Sequence, residues 1–443
     1  MLHSRFSRLA TVLFASATIF SSCQKDKDFE SLEMDKVRIR GANSVLNPLA
    51  SVGRAIFFDA NLSNPMGSQS CASCHMPQNG FAGEGDGPGF VQGIGQGAVT
   101  GQFGGRKPPV AAYATFSPQL KLVPFVPADP GVVFHEPPMI FKGGLFWDGR
   151  ASGLRLGNPA AEQALGPFLN PVEHNVASKL VILETIKKSN YYNQWKQAFG
   201  FEISTNTQAE IDAMYDNVGR AIAAYEATSE VNKFSSKYDA FLKGKVRLSE
   251  AETRGLALFS VRAECYGCHI IESPDGGKTP PLFTDYQYHN IGLPKNLATP
   301  NKSVLVEQDL GLGGELQKQV NGQFKYPAEW RALAVDNYGK FKTPSLRNVA
   351  AGRNRRYMHN GIFNSLEQVV HFYNTRSVPG AGWGQGADFK TWAELGGPEV
   401  NMNLEIHGAG NLGLTAGQEA DLVAFLKTLT DGWSATSANT TVL

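Results

Sequence analysis

Four of the five cysteines lie in two motifs that could attach heme. Residues 71–75 read CASCH and residues 265–269 read CYGCH, so each segment is Cys-x-x-Cys-His. Two thiols one helical turn apart can reach both vinyl groups of a porphyrin, and the imidazole that follows can then ligate the iron. A zinc ribbon or a redox-active dithiol would not require a histidine directly after each pair. The spacing therefore predicts two covalently bound c-type hemes. They would be held by Cys71, Cys74, His75, Cys265, Cys268 and His269.

The fifth cysteine, Cys23, follows a segment that is typical of an export signal. Two arginines in the first eight residues precede an apolar run from Leu9 to Phe20, which is too short to span a bilayer permanently. The small residues before Cys23 resemble a bacterial lipobox, although Phe20 stands where an aliphatic residue is usual. We predict a signal peptide over residues 1–22 and a lipid on Cys23, with secretion without a lipid as the alternative. The protein would then lie on the periplasmic side of a bacterial membrane or at the cell surface.

Length and charge indicate the number of domains and argue against a nucleic-acid-binding protein. The chain has 443 residues, with 41 Lys and Arg against 40 Asp and Glu and a formal net charge of +1. No block of basic residues offers the positive surface that nucleic-acid binding needs, so nucleic acid is not an expected partner. A single core stops growing well before this length, which makes two domains the simplest expectation.

Helical patterns surround the first motif. A short helix is expected over residues 51–58, just before CASCH, and apolar residues recur at helical spacing over residues 177–199 and 209–228. Residues 46–157 are otherwise rich in Gly and Pro, which indicates long loops. No alternation typical of β-strands stands out.

Two capping signatures frame the second motif. Ser249 is followed three residues later by Glu252, which predicts a helix that runs directly into Cys265. Thr415 is followed in the same way by Gln418, which predicts the last helix. The expected fold is mainly α, with two cytochrome c-like heme domains and long loops. The boundaries would be a tether at 23–45, an N-terminal heme domain at 46–245, a C-terminal heme domain at 246–430 and a flexible tail at 431–443.

From about Asn47 to Thr430 the sequence resembles the bacterial diheme cytochrome c peroxidases. It is most similar to the branch that includes the enzyme maturing the tryptophan tryptophylquinone cofactor of methylamine dehydrogenase. The resemblance rests on the segments GRAIFFDANLSNPMGSQSCASCH, FWDGRAS, EQALGPFLNPVEHN, CYGCH, FKTPSLRNVA and YMHNGIFNSLEQVVHFYN. It implies that hydrogen peroxide is reduced at the first heme, and that electrons enter through the second from a small cytochrome c or a cupredoxin. A homodimer is compatible with this resemblance.

The resemblance implies catalytic roles for residues near the first heme. Glu173, in the Asn-Pro-Val-Glu pattern, would be the acid and base that moves a proton between the two oxygens of peroxide. Gln163 would hydrogen-bond the bound peroxide or its water, and Pro167 would shape the pocket. Trp147 would carry electrons between the hemes. Without the resemblance, Glu173 is more typical of a helix start and Trp147 of core packing.

The resemblance also bears on the axial positions of the two irons. No histidine occurs between His75 and His135, so the first iron is expected to be five-coordinate at rest, with His135 as a rival ligand. Tyr373 lies fourteen residues after His359, where the peroxidases have methionine and the maturation enzyme has tyrosine. Tyr373 would therefore ligate the second iron and lower its potential, and Met358 is the alternative ligand.

The family holds a calcium ion between its hemes through an asparagine side chain and two backbone carbonyls. The carbonyls would belong to Asn354 and Arg356, but Lys107 stands at the asparagine position. An ammonium group cannot ligate a cation, although it could occupy the same site. The resemblance therefore leaves calcium open.

Two other functions are compatible with the same motifs. The hemes could, in high-valent states, oxidise side chains of a partner protein, as a tyrosine ligand would permit. The chain could instead be a non-catalytic electron-transfer protein, which would require both irons to be six-coordinate. Glu173 and the absence of a histidine soon after His75 favour an enzyme.

Overall fold

The computed structural model describes residues 46–126, 138–352, 354–384 and 386–435. The predictions for residues 1–45, including the lipid on Cys23, fall outside the described part, and so does the prediction for His135. None of the helices within these ranges is long and apolar enough to pass through a bilayer.

Short helices joined by long loops dominate the described ranges. Asn47, Ser178 and Thr207 each accept a hydrogen bond from a backbone N–H in the first turn of the helix that follows. These bonds satisfy donors that a helix leaves without a partner, so the caps fix where each helix begins. The helices are α1 (Pro48–Phe58), α2 (Cys71–Cys74), α3 (Pro159–Leu169), α4 (Lys179–Lys187), α5 (Tyr192–Phe199), α6 (Gln208–Glu226), α7 (Lys237–Leu242), α8 (Glu250–Ala257), α9 (Gly311–Leu316), α10 (Ala328–Ala332), α11 (Leu366–Thr375) and α12 (Ala416–Lys427).

Ten short strands in these ranges form five separate antiparallel pairs. The sequence shows no strand pattern because most of the strands have two residues, which is too short for alternation to appear. The pairs are β1 (Phe90–Val91) with β2 (Ile94–Gly95), β3 (Lys121–Pro124) with β4 (Met139–Lys142), β5 (Tyr288–His289) with β8 (Phe341–Lys342), β6 (Gln319–Val320) with β7 (Gln323–Phe324), and β9 (Gly382–Trp383) with β10 (Lys390–Thr391).

The helices around the first motif share one apolar core. α1, α3, α4, α5 and α6 all contribute to it, with Phe57 and Tyr225 among its buried residues. α1 crosses α6 at Gly53, where a Cβ atom would lie 1.8 Å from the Ala221 carbonyl oxygen. Only glycine allows the two backbones to come this close. Cys71 packs against the same core, which positions the start of the first motif.

A second core surrounds the second motif and repeats this arrangement. α7, α8, α11 and α12 contribute to it, and Phe425 is among its buried residues. α8 crosses α12 at Gly255, where a Cβ atom would lie 2.0 Å from the Asp421 carbonyl oxygen. Cys265 packs against this core. In both halves, a helix that precedes the Cys-x-x-Cys-His motif crosses a later helix at a glycine.

The helices predicted from caps and spacing are confirmed at α1, α6, α8 and α12. The stretch 177–199 contains two helices, α4 and α5, where a single pattern was expected. Ser189 explains the break, because its hydroxyl and its N–H both donate to the Ile186 carbonyl, at 2.7 and 3.0 Å, and so end α4.

The prediction that a helix runs directly into Cys265 is wrong. After α8 the backbone widens into a π-helical turn over Leu258–Arg262, and Glu264 then adopts a φ of +52°. Such a left-handed residue ends the helix before the motif begins. The sequence alone does not mark this turn.

The first residues of the predicted flexible tail make ordered contacts. The Ser235 N–H donates to the Asp431 carboxylate at 2.8 Å, and the Trp433 N–H donates to the Ser235 carbonyl at 3.0 Å. Residues 436–443 lie outside the described part.

A methyl group added at Gly255 tests the helix crossing. We expect Gly255→Ala to lower the thermal unfolding temperature of the holoprotein, because separating the two backbones costs about 1–3 kcal/mol or more. Gly417→Ala in α12 is the matched control, since the nearest atom to a Cβ there lies 4.0 Å away. Equal unfolding temperatures for the two variants would contradict a tight crossing.

Candidate functional site

The first Cys-x-x-Cys-His motif forms a single helical turn that ends at its histidine. α2 holds Cys71 and Cys74, and the His75 N–H donates to the Cys71 carbonyl at 2.9 Å. Both thiols are free, and the Gln69 amide donates to the Cys74 sulfur at 3.3 Å. Burial lowers the pKa of His75 to about 4, and nearby backbone carbonyls raise it back only in part. The imidazole is therefore neutral, which is the form that ligates iron.

The second motif carries its two thiols and its imidazole on a 3₁₀ turn. The turn spans Cys265–Gly267, and the His269 N–H donates to the Cys265 carbonyl at 2.9 Å. Burial lowers the pKa of His269, so that this imidazole is also neutral. Its Nδ1 lies 2.8 Å from the Phe283 carbonyl oxygen. With Nδ1–H donating to that carbonyl, Nε2 keeps the lone pair that can ligate a metal.

A large cavity, the second-heme cavity, opens beside the second motif. It contains about 1520 Å³ of space not filled by protein atoms, including the part open to solvent. Apolar side chains such as Phe259, Val370 and Leu426 form much of its wall. It is lined, among others, by Cys265, Cys268, His269, Met358 and Tyr373.

The donor set at both motifs fits a c-type heme. All four thiols are free, so none is used in a disulfide. Burial lowers the pKa of both His75 and His269, so each motif presents a neutral imidazole beside its two thiols. Two thiols and a neutral imidazole at each site are what covalent attachment and iron ligation require.

Two side chains in the second-heme cavity could close the second iron. Tyr373, on α11, and Met358 both line this cavity together with His269. Burial raises the pKa of Tyr373, while the nearby charge of Arg376 lowers it. Arg376 is fixed by donating to backbone carbonyls, including that of Ile291 at 2.6 Å. Burial has the larger effect, so the pKa of Tyr373 stays above its ordinary value and the cation offsets this only in part.

A half-buried carboxyl, that of Glu173, lies close enough to the first motif for its charge to act on Cys74. Burial raises the pKa of the Cys74 thiol, and the charge of Glu173 raises it further. The Asn170 amide donates to Glu173 Oε1 at 2.6 Å, and the Ala98 N–H donates to the Glu173 carbonyl at 2.7 Å. Burial raises the pKa of Glu173, whereas the charge of Arg150 and the bond from Asn170 lower it. A carboxyl with a raised pKa holds a proton more strongly than an ordinary glutamate, which suits a group that accepts a proton and then returns it.

Glu173 also faces an outer cavity. This cavity holds about 1270 Å³ of space, including the part open to solvent, and its wall includes Phe146, Arg150, Asn170, Glu173 and Lys325. The Arg150 guanidinium lies 3.6 Å from the centre of the Phe146 ring. A small solute in this cavity would contact Glu173.

Gln163 and Pro167 lie one turn apart on α3 and therefore on one face of it. Pro167 has no N–H, so the Gln163 carbonyl lacks the usual helical hydrogen bond. The Pro167 carbonyl accepts the His174 N–H at 3.1 Å, which folds the turn that carries Glu173 back onto α3. Of these predicted pocket residues, Glu173 alone is among the described residues that line the outer cavity.

Trp147 forms part of the wall between two inner cavities. Its Nε1–H donates to the Lys107 carbonyl at 2.8 Å, and its own carbonyl accepts the Lys342 N–H at 2.8 Å. Its ring meets His359 edge-on, with 6.3 Å between ring centres. Trp147 lines both the second-heme cavity and a further space, the inter-site cavity. The basic residues on the wall of the inter-site cavity are Lys107, Lys342, Arg347, Arg355 and Arg356.

The residues predicted for calcium do not fit a calcium site. Lys107 is 5% exposed, and its ammonium donates to the Pro108 carbonyl at 3.3 Å. The Asn354 carbonyl oxygen faces Gly85 so closely that a Cβ there would lie 1.5 Å from it. Arg355 is a second buried cation whose charge acts on Lys107. A divalent cation would meet two buried positive charges here, which repel it.

Several residues of the site were not anticipated from the sequence, among them Asn170, Lys342 and Arg355. Asn170 could have been, because it stands three residues before Glu173 in the same Asn-Pro-Val-Glu pattern. Lys342 and Arg355 carry no such signal. Long basic side chains are mostly exposed, and nothing in their spacing indicates that these two line an inner cavity.

Comparison with known proteins places this geometry in a family. A family model for di-haem cytochrome c peroxidases matches residues 47–247. The methylamine utilization protein MauG of Paracoccus denitrificans is 33% identical over 389 residues, which cover 86% of this chain and 88% of MauG. The cytochrome-c peroxidase IdrP1 of Denitromonas iodatirespirans is 27% identical over 435 residues, which cover 96% of this chain and 93% of IdrP1.

A solved structure agrees with these relatives. The crystal structure of the diheme peroxidase BthA from Burkholderia thailandensis superposes with a TM-score of 0.67 at 31% identity, covering 89% of this chain and 90% of BthA. The predicted resemblance is thereby confirmed, and two hemes are a property of the group. The chain belongs to the diheme cytochrome c peroxidase family.

Proposed function

We propose that this chain reduces hydrogen peroxide to two molecules of water at the first heme site, using two electrons and two protons per peroxide. The electrons would come from a small periplasmic redox protein, a cytochrome c or a cupredoxin, and enter through the second heme. The observation that carries the proposal is the half-buried carboxyl of Glu173, which lines the outer cavity and whose charge acts on the Cys74 thiol of the first motif. The names of IdrP1, a cytochrome-c peroxidase, and BthA, a diheme peroxidase, support it.

The chain's own part in cofactor binding is to present thiols and neutral imidazoles. When bound, each heme supplies an iron that takes up and releases electrons. The Phe283 carbonyl keeps the proton of His269 on Nδ1 and leaves Nε2 for the iron. The groups that would hold the two hemes are Cys71, Cys74 and His75 at the first site and Cys265, Cys268 and His269 at the second.

Glu173 would carry the proton that O–O cleavage requires. It would accept a proton from one oxygen of peroxide and return it to the other, which leaves as water. The Asn170 amide donates to Glu173 Oε1 at 2.6 Å. The carboxyl is therefore already oriented before peroxide arrives. Gln163, on the neighbouring helix face, would hydrogen-bond the peroxide or its water.

Trp147 would connect the two sites. Its ring lies against the second-heme cavity, and its backbone and indole N–H are fixed by hydrogen bonds to Lys342 and Lys107. A rigid aromatic ring between two redox centres shortens the gap that an electron crosses. Trp147→Phe would keep an aromatic ring but lose the indole hydrogen bond.

Tyr373 would close the second iron, with Met358 as the alternative. The position of Tyr373 on the wall of the second-heme cavity, which His269 also lines, supports this ligation. We further propose the domain boundaries 46–245 and 246–430, supported by the glycine crossing in each half, although α7, which precedes this boundary, packs in the second core. Export and a lipid on Cys23 belong to the same proposal and would place the enzyme at a bacterial membrane facing the periplasm.

One observation favours a second function, the oxidation of side chains on a partner protein. Tyr373 lines the second-heme cavity, and the chain is 33% identical to MauG, which is named a methylamine utilization protein. The two functions differ in the rate at which a small electron donor is oxidised. Fast peroxide-dependent oxidation of a reduced small cytochrome c favours the peroxidase, whereas slow turnover with that donor favours the oxidase.

The substitution Glu173→Gln tests the proposed function. It keeps the size of the side chain and removes the proton acceptor, so we expect peroxide turnover with a reduced cytochrome c to fall by about 10²–10⁴-fold. Glu202→Gln is the matched control, because Glu202 is 74% exposed and lies away from the site. Both variants should retain two hemes per chain. If Glu173→Gln turned over as fast as Glu202→Gln, Glu173 would have no catalytic role.

The raised pKa of Glu173 predicts a pH dependence. Burial raises this pKa above the ordinary value of 4.5, so the carboxylate that accepts a proton is lost at a higher pH than usual. The second-order rate constant for peroxide should therefore fall as the pH decreases through a midpoint above 4.5. Stopped-flow measurements on the holoenzyme check this. The same acid limb in Glu173→Gln would assign the titration to another group.

A further inference from the structure

The inter-site cavity is lined by positive charge without a matching negative charge. Five basic residues face it, and no Asp or Glu is among the described residues of its wall. Two of the five have carboxylate partners elsewhere. Arg347 pairs with Asp239 at 3.0 Å, and Arg356 pairs with Asp86 at 2.8 Å. The remaining three are Lys107, Lys342 and Arg355.

These three cations are held mainly by neutral groups. The Lys107 ammonium donates to the Pro108 carbonyl at 3.3 Å. Arg355, 7% exposed, donates to the carbonyls of Asn348 and, at 2.9 Å, Ala351. Arg355 Nε is buried and has no hydrogen-bond partner among the described residues. The cavity therefore presents hydrogen-bond donors that are not fully used.

Lys342 completes the set on the wall shared with the second-heme cavity. Its ammonium lies 4.8 Å from the centre of the Tyr286 ring, and it lines both inner cavities. The negative charge of Asp285 acts on this ammonium and raises its pKa, whereas burial lowers it. Positive charge thus faces the inter-site cavity from both the N-terminal and the C-terminal parts of the chain.

Buried charges of one sign need a counter-charge. Leaving a buried ammonium unpaired is strongly unfavourable, and placing a guanidinium beside it adds repulsion. Burial, and after it the charge of Arg355, lower the pKa of Lys107 to about 7. An anion in the cavity would restore the protonated form. Each heme of this diheme family carries two carboxylates, its propionates, and so supplies anions of the required class.

We propose that Lys107 provides the fixed positive charge between the two heme sites in place of a bound divalent cation, and that with Arg355 it pairs with heme carboxylates in the inter-site cavity. Calcium would then not bind, because the Lys107 ammonium already occupies the position that the cation would take. This assignment does not depend on peroxide turnover. An inactive enzyme with two hemes would leave it intact.

The first test is the calcium content of the wild-type holoprotein. After incubation with calcium chloride and gel filtration, elemental analysis should find far less than one calcium per chain, and treatment with a chelator should leave the heme reduction potentials unchanged. One calcium per chain that the chelator removes, with a change in potential, would overturn the proposal.

The second test is Lys107→Met, with the exposed Lys121→Met as the matched control. A nearby cation disfavours the ferric state, so its removal should lower the reduction potential of at least one heme in spectroelectrochemical titration. The unfolding temperature should also fall, because heme carboxylates lose a buried partner. Potentials equal to those of Lys121→Met would refute the assignment. If Lys107→Met failed to fold, the calcium measurement on the wild type would still decide the matter.

Discussion

The structure depends on one partly buried hydrogen-bonded junction in the wall that the two inner cavities share. Trp147 donates to the Lys107 carbonyl and accepts from the Lys342 N–H, while the Lys107 N–H donates to the His359 carbonyl at 2.8 Å. Buried backbone groups must be paired, so these four segments, far apart in sequence, can only be placed together. The junction fixes the wall that both inner cavities share. The relation of the two heme sites follows from it.

The two sites share a pair of thiols and an imidazole but differ in the residues around them. At the first, Glu173 is held by Asn170 and faces an outer cavity open to solvent. At the second, Tyr373 and Met358 line the cavity that His269 also lines. A carboxyl that can move protons suits a site that receives substrate, whereas a side-chain ligand suits a site that passes electrons. The division of labour that we propose rests on this difference.

The sequence predicts those features of the fold and site that depend on neighbouring residues. The two Cys-x-x-Cys-His motifs, the capping boxes at Ser249 and Thr415 and the family were all readable from residue types and spacing. The turn after α8 and the two-residue strands were not, because they depend on tertiary contacts that leave no periodic pattern. The position of Lys342 and Arg355 on a cavity wall could not be predicted either, since nothing in the sequence distinguishes a basic residue that lines a cavity from one on the surface.

The central claim is that one iron has an open face near Glu173 while the other is closed by a side chain. Electron paramagnetic resonance of the resting diferric holoprotein tests it most directly, because the signal reports the coordination of each iron. We expect one high-spin signal, which changes on addition of peroxide, together with one low-spin signal. Two low-spin signals that do not respond to peroxide, even after partial reduction, would contradict the account and leave an electron-transfer protein.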